Sequence, residues 1–187
     1  MTTDLTKAQL LAAHIPTSVF GTTLKLAGYE ELRALITGRS YISAGGLANY
    51  LICGHRTPGQ ACLALPLFAK ELHISGVGMI YASSSMLMRA LRCHEDDIEP
   101  IGMTAAQLTK NGNGYLAIPD IFNRDDFPED SASRREYADY GDYLATKVWH
   151  GGGLILGGRA PTAQHLESLG PSFTEIYNAR FTTITVR

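Results

Sequence analysis

The sequence predicts a three-layer α/β domain built on a mainly parallel sheet. Three observations carry that expectation. Short apolar runs of strand length, at residues 47–53, 79–82, 115–118 and 154–156, alternate with stretches of helical periodicity. A β-branched run, residues 181–186, closes the series. Glycine or proline marks the junctions between them. Strands alternating with helices form right-handed βαβ units, and such units build a parallel sheet covered on both faces.

Taken in order, residues 1–45 read as a helical lead-in, with helices at 5–13 and 29–36 and Gly38 to end the second. The core follows over 46–187 as a single domain. Its first strand, 47–53, stops at Gly54, and a mostly apolar helix covers 62–72, with Pro66 expected to kink it. After Gly76-Val77-Gly78 comes the strand at 79–82, and Ser83, Ser84 and Ser85 offer caps for a helix to about residue 91. An acidic loop at 95–100, a short helix at 105–110 and the turn Asn111-Gly112-Asn113-Gly114 lead to the strand at 115–118. Residues 122–130 read as a polar loop. Ser131 or Ser133 caps a long helix through Trp149, with Tyr137, Tyr140, Leu144 and Val148 on its inner side. The strand at 154–156 follows three glycines. Pro161 opens another helix that Gly170 ends, and a short helix at 172–179 precedes the last strand.

The 187 residues suffice for one domain with a full core. A net charge of −2 announces no nucleic-acid surface, although one face can be basic in a neutral chain. Three cysteines, Cys53, Cys62 and Cys93, form no disulfide framework, and the histidines have no metal-ligand spacing. No signal peptide and no membrane-length apolar run is present, so the expected location is cytoplasmic.

The chemistry concentrates where strands end. Gly54-His55-Arg56-Thr57-Pro58-Gly59-Gln60-Ala61 has the frame of a P-loop: a glycine, four residues, a second glycine, between a strand and a helix. Backbone N–H groups of such a loop and the helix N-terminus hold phosphate oxygens. The lysine that neutralises phosphate charge and the hydroxyl that ligates magnesium are replaced by Gln60 and Ala61. The frame therefore predicts a three-layer P-loop NTPase-like fold whose anion contacts are Gly54, Arg56, Gly59 and Gln60, without efficient hydrolysis. The plainer alternative is a tight turn with no ligand. At the next strand end Pro119 stands where a first acidic residue would help hold magnesium, and Asp120 remains as the candidate carboxylate; Asp120 as a turn cap is the alternative. The run at 154–156 ends in Gly157, Gly158 and Arg159, and Arg180 follows the last helix; these arginines stand in sensor-like and finger-like positions, or are surface charges.

In this order the motifs resemble the ATPase core of the AAA+ helicase loaders of the DnaC kind and of the IstB transposition helpers. Residues 63–91, LALPLFAKELHISGVGMIYASSSMLMRAL, carry the resemblance most clearly, and it extends over about 47–186. The departures are Gln60, Ala61, Pro119 and the in-helix Pro66. The resemblance implies an AAA+-like domain that works in DNA replication or transposition through a protein partner: a helicase, a transposase or another AAA+ subunit. DNA binding and oligomerisation remain open. The residues demand no cofactor or metal; the ligand the frame leaves open is ATP or another phosphate compound. Two other readings stand beside this one. Cys53-Gly54-His55-Arg56 resembles, in shuffled order, the nucleotide box of the ParB and sulfiredoxin superfamily, which implies a nucleotide-hydrolysing or DNA-cleaving enzyme; Asp120, Asp125 and Asp126 are a carboxylate cluster able to hold a metal for such chemistry, or a solvated acidic loop. Tyr137, Tyr140, Tyr143 and Trp149 along one helix fit either a core or an interface.

Overall fold

The computed structural model describes residues 2–24, 28–43, 46–54, 58–92, 114–123, 127 and 130–186, with backbone alone for 2–6 and 58–60. Its described elements are α1 (Thr2–Ala12), a 3-10 turn (Thr17–Val19), α2 (Glu30–Thr37), β1 (Ile42–Ser43), β2 (Gly46–Leu47), β3 (Asn49–Gly54), α3 (Pro58–Ile74), β4 (Met79–Tyr81), α4 (Ser84–Arg92), β5 (Tyr115–Ile118), α5 (Ser131–Trp149), β6 (Gly153–Gly158), α6 (Ala163–Ser168), α7 (Gly170–Arg180) and β7 (Phe181–Val186).

Five strands form one sheet in the order β4-β5-β6-β3-β7, and every pairing in it is parallel. β1 and β2 form a separate antiparallel hairpin. β5 and β6 are buried along their whole length, which is why they read as continuous apolar runs. Side chains of alternate strand residues feed two cores. Tyr50, Ile52, Ala117, Ile155 and Ile184 pack with α3 and the lead-in. Leu51, Leu116, Ile118, Leu154 and Leu156 pack with α4, α5 and α7. Three layers result, as expected.

The lead-in contributes to the first of these cores through Leu10, Ile15, Val19, Leu24 and Leu32. Lys70 on α3, 3% exposed, donates from Nζ to the carbonyls of Val19 (3.1 Å) and Thr22 and pairs with Glu71 (3.3 Å). A buried ammonium is tolerable only with such partners. The hairpin is held in the same way: the Tyr115 hydroxyl, wholly buried, reaches the carbonyls of Tyr41 (3.1 Å) and Ala48 (2.8 Å).

Several boundaries differ from the sequence reading. α3 runs through Pro66 to Ile74, because Leu65, Leu67, Phe68 and Ala69 around the proline are fully buried and anchor both halves. Asp130, rather than Ser131 or Ser133, caps α5: its side chain accepts from the Ser133 N–H at 2.8 Å. α6 ends at Ser168, and Gly170, at φ +83°, opens α7 instead of closing α6. β6 extends through its glycines to Gly158. Phe122, assigned to a polar loop, is wholly buried, with edge-on contacts to Phe173, Tyr177 and His165. The expected loop at 95–100, helix at 105–110 and most of the turn at 111–114 lie outside the described residues. Among the described residues no helix is long and apolar enough to cross a membrane.

Candidate functional site

In an open parallel sheet the ligand crevice forms beyond the carboxyl ends of two neighbouring strands whose connections leave over opposite faces. β3 and β6 are that pair. They are adjacent, with Cys53 opposite Gly158 in register. β3 continues into α3, which packs in the core on one face; β6 continues into α6 and α7, and α7 packs on the other. The switch point of the sheet therefore falls between the ends of β3 and β6, at Gly54 and Gly158.

The frame has a strand before it and a helix after it. β3 ends at Gly54, and α3 starts at Pro58, a residue whose missing N–H costs nothing at a helix start. Gly59, Gln60 and Ala61 form the first turn of α3. Ala61 is 0% exposed and belongs to the core on that face. His55, Arg56 and Thr57 lie outside the described residues, as do Asp125 and Asp126.

Asp120, two residues beyond β5, sits at the same end of the sheet. Its Oδ1 accepts from the Ser84 N–H at 2.8 Å, so this carboxylate closes the N-terminus of α4. An anion is favoured there by the helix dipole. It caps a helix, but a different one from the turn that follows it in sequence. The Tyr81 phenol is pushed up to about 12, first by burial and then by the negative charges of Asp120 and Cys62. Tyr140 is likewise held in its neutral form, chiefly by burial.

Arg159 donates from Nε to the Phe122 carbonyl at 2.7 Å, tying the end of β6 to the turn after β5. Gly158, at φ +125°, is a position only glycine takes easily, and a Cβ there would come within 2.4 Å of Asn123 Oδ1. A Cβ on Gly157 would meet Leu65 Cδ1 at 2.6 Å. The carboxyl ends of β5 and β6 and the first half of α3 are therefore packed tightly together. Arg180 does not join them. It is the last residue of α7, immediately before Phe181, which pairs with Asn49 at the start of β3. A six-residue strand separates it from Gly54, about 16 Å at 3.3 Å per residue.

A cavity of about 450 Å³ opens beside Asp120, lined by Ser84, Ser85, Arg89, Asn123 and Tyr137 among others. The sequence reading named the serines only as caps and missed Asn123 and Arg89, which no motif marks. No group of three or more His, Cys, Asp or Glu placed to hold a metal occurs among the described residues.

No family model and no curated protein sequence matches the chain. Solved structures do. The DnaC helicase loader superposes with a TM-score of 0.59 at 10% identity, covering 92% of this chain and 100% of that one. AMPPCP-bound DnaA from Aquifex aeolicus superposes with a TM-score of 0.54 at 15% identity, covering 88% of this chain; the chain spans 50% of the DnaA chain. At such identities the likeness speaks for the fold. Together with the five-strand parallel sheet, it shows that the chain has the three-layer P-loop NTPase-like, AAA+/DnaC-like fold.

Proposed function

We propose that this chain is a non-hydrolysing P-loop protein that acts in the cytoplasm by binding a protein partner in DNA replication, transposition or mobile-element control. The observation that carries the proposal is what has become of the magnesium-handling positions. Ala61 brings no oxygen and is packed into the core, Pro119 has no carboxylate, and the Oδ1 of Asp120 is engaged in capping α4. Magnesium at a phosphate site keeps several waters and takes one or two oxygens from the protein, and Ala61 and Pro119, at the positions that would give them, supply none. Backbone anion contacts through Gly54 and Gly59 survive such losses, so Gly54, Arg56, Gly59 and Gln60 remain the residues for ATP or another phosphate ligand. Arg159 steadies the turn after β5. Arg180, at the far end of the sheet, would serve only a site in another molecule.

The similar folds supply the context: one is a helicase loader, and the other was solved with a nucleotide analogue. We infer a helicase, a transposase or another AAA+ subunit as the partner class, with DNA as a further ligand.

Calorimetric titration of magnesium-ATP into the chain, followed by a phosphate-release assay on the same sample, tests the proposal. We expect release at the protein-free rate, whether or not nucleotide binds. Steady release that is lost in Arg56→Ala or Asp120→Asn would overturn it.

A further inference from the structure

α4 and α5 share one face of the sheet, and each turns a stripe of side chains toward the other. On α5, Glu136, Asp139, Tyr140 and Tyr143 recur at i, i+3, i+4 and i+7, the spacing of a single helix face. On α4, Met88, Leu91 and Arg92 recur at i, i+3 and i+4. The two stripes enclose a cavity of about 280 Å³ that shares the Met88 and Arg92 walls with the one beside Asp120. Arg92 pairs through Nε with Glu136 Oε1 and lines both cavities.

The walls combine three kinds of chemistry. Tyr143, half-buried, is the accessible aromatic residue of the lining, with the wholly buried Tyr140 behind it. Met88 and Leu91, both half-buried, form an apolar wall opposite. Asp139 is exposed and has no ion pair among the described residues. With Glu136 balanced by Arg92, Asp139 leaves the cavity a net negative charge.

We infer that this cavity receives a cationic side chain, lysine or arginine, from a protein partner. Aromatic rings attract cations. The aliphatic stem of lysine or arginine lies well against methionine and leucine while its charged head stays at a wet rim. An anionic side chain would meet Asp139 and could pair with Arg92 only by displacing Glu136, and a neutral apolar one would leave Asp139 uncompensated. The inference depends on the partner-binding proposal only for the source of the side chain.

The test uses the full chain labelled at the methionine methyls and titrated with N-acetyl-arginine amide, followed by methyl NMR. We expect saturable shifts of the Met88 methyl with a Kd of about 1–10 mM, the affinity one side chain can supply. Asp139→Asn, at an exposed position, should weaken binding about two- to fivefold. Tyr143→Leu should weaken it comparably. N-acetyl-citrulline amide, nearly the same shape without the charge, should give no saturable shift. An unmoved Met88 methyl, an equal response to the citrulline compound, or a shift that Asp139→Asn leaves unchanged, which would put the ligand in the cavity beside Asp120, overturns the inference. Self-association of the chain that Asp139→Asn abolishes would make the occupant a second copy and overturn the assignment to a different partner. None of these readouts depends on ATP turnover, so failure here and failure of the non-hydrolysing proposal are distinguishable.

Discussion

Gly141 shows how a single residue can carry tertiary information that local preference opposes. It lies in the middle of α5, where glycine is about 1 kcal/mol worse than alanine. A Cβ at this position would come within 1.8 Å of the Leu169 carbonyl oxygen, at the crossing with α7. Clash outweighs propensity: Gly141→Ala should destabilise the fold by about 3 kcal/mol. A urea midpoint that rises instead would show that the crossing can give way. Lys147 is the opposite kind of residue, present despite its cost. Burial holds its ammonium down at about 8. The unfolded chain keeps that proton up to about pH 10.4. Between these values the unfolded state binds more protons, so stability should rise with pH across the window. Below pH 8 the residue costs the folded state on the order of 3 kcal/mol. Lys147→Met should be more stable than the parent at pH 7, and the difference should shrink by pH 10 in matched urea titrations.

At the scale of the element, the helix ends are where sequence and structure diverge most instructively. Asp130, Ser131 and Ser133 all have side chains able to cap α5, and the pattern alone does not rank them. The structure uses Asp130. The Ser133 N–H, and after it the Ser133 hydroxyl, hold its carboxyl below the ordinary aspartate value. A lowered folded pKa contributes stability above the unfolded value and loses it as the pH falls through the folded one. Asp130→Ala should therefore be less stable than the parent at pH 7 and should approach it as the pH drops below about 4, read from urea midpoints at pH 7 and pH 3. α6 is capped by a reciprocal box instead: Thr162 Oγ1 accepts from the His165 N–H at 3.3 Å, and His165 Nδ1 accepts from the Thr162 N–H at 3.0 Å. The phosphate frame is an element-scale feature too. Glycines at its two ends, a strand before it and a helix after it were legible because each is a local pattern. The cavity residues Asn123 and Arg89 were not, since they meet only when β5 and α4 are brought side by side.

For the whole molecule, the question is whether the lead-in is an appendage or part of the core. Leu10, Ile15, Val19, Leu24 and Leu32 share one apolar cluster with Leu65, Phe68 and Leu72 of α3, and Lys70 binds the carbonyls at 19 and 22. Removing residues 1–38 should expose that side of α3 and leave Lys70 without partners. We expect the shortened chain to aggregate and to lose its cooperative thermal transition, followed by circular dichroism and light scattering. A soluble fragment with an unchanged midpoint would show that the lead-in is a separate unit.

The sequence by itself determined the alternation of strand and helix along the core, the parallel character of the sheet, the glycine frame at the end of β3 and the side chains missing from it. These depend on neighbours within a few residues: a period of two or 3.6, a glycine where a helix stops, a strand followed by a turn. Only the tertiary structure decided the strand order β4-β5-β6-β3-β7 and the switch point between β3 and β6 that follows from it. It alone engaged Asp120 on Ser84, 36 residues away, and joined Asn49 to the Leu154 N–H across 105. It also carried Arg180 to the opposite end of the sheet from Gly54. Such partners are chosen by where whole strands and helices pack, and no pattern confined to a single segment encodes that choice.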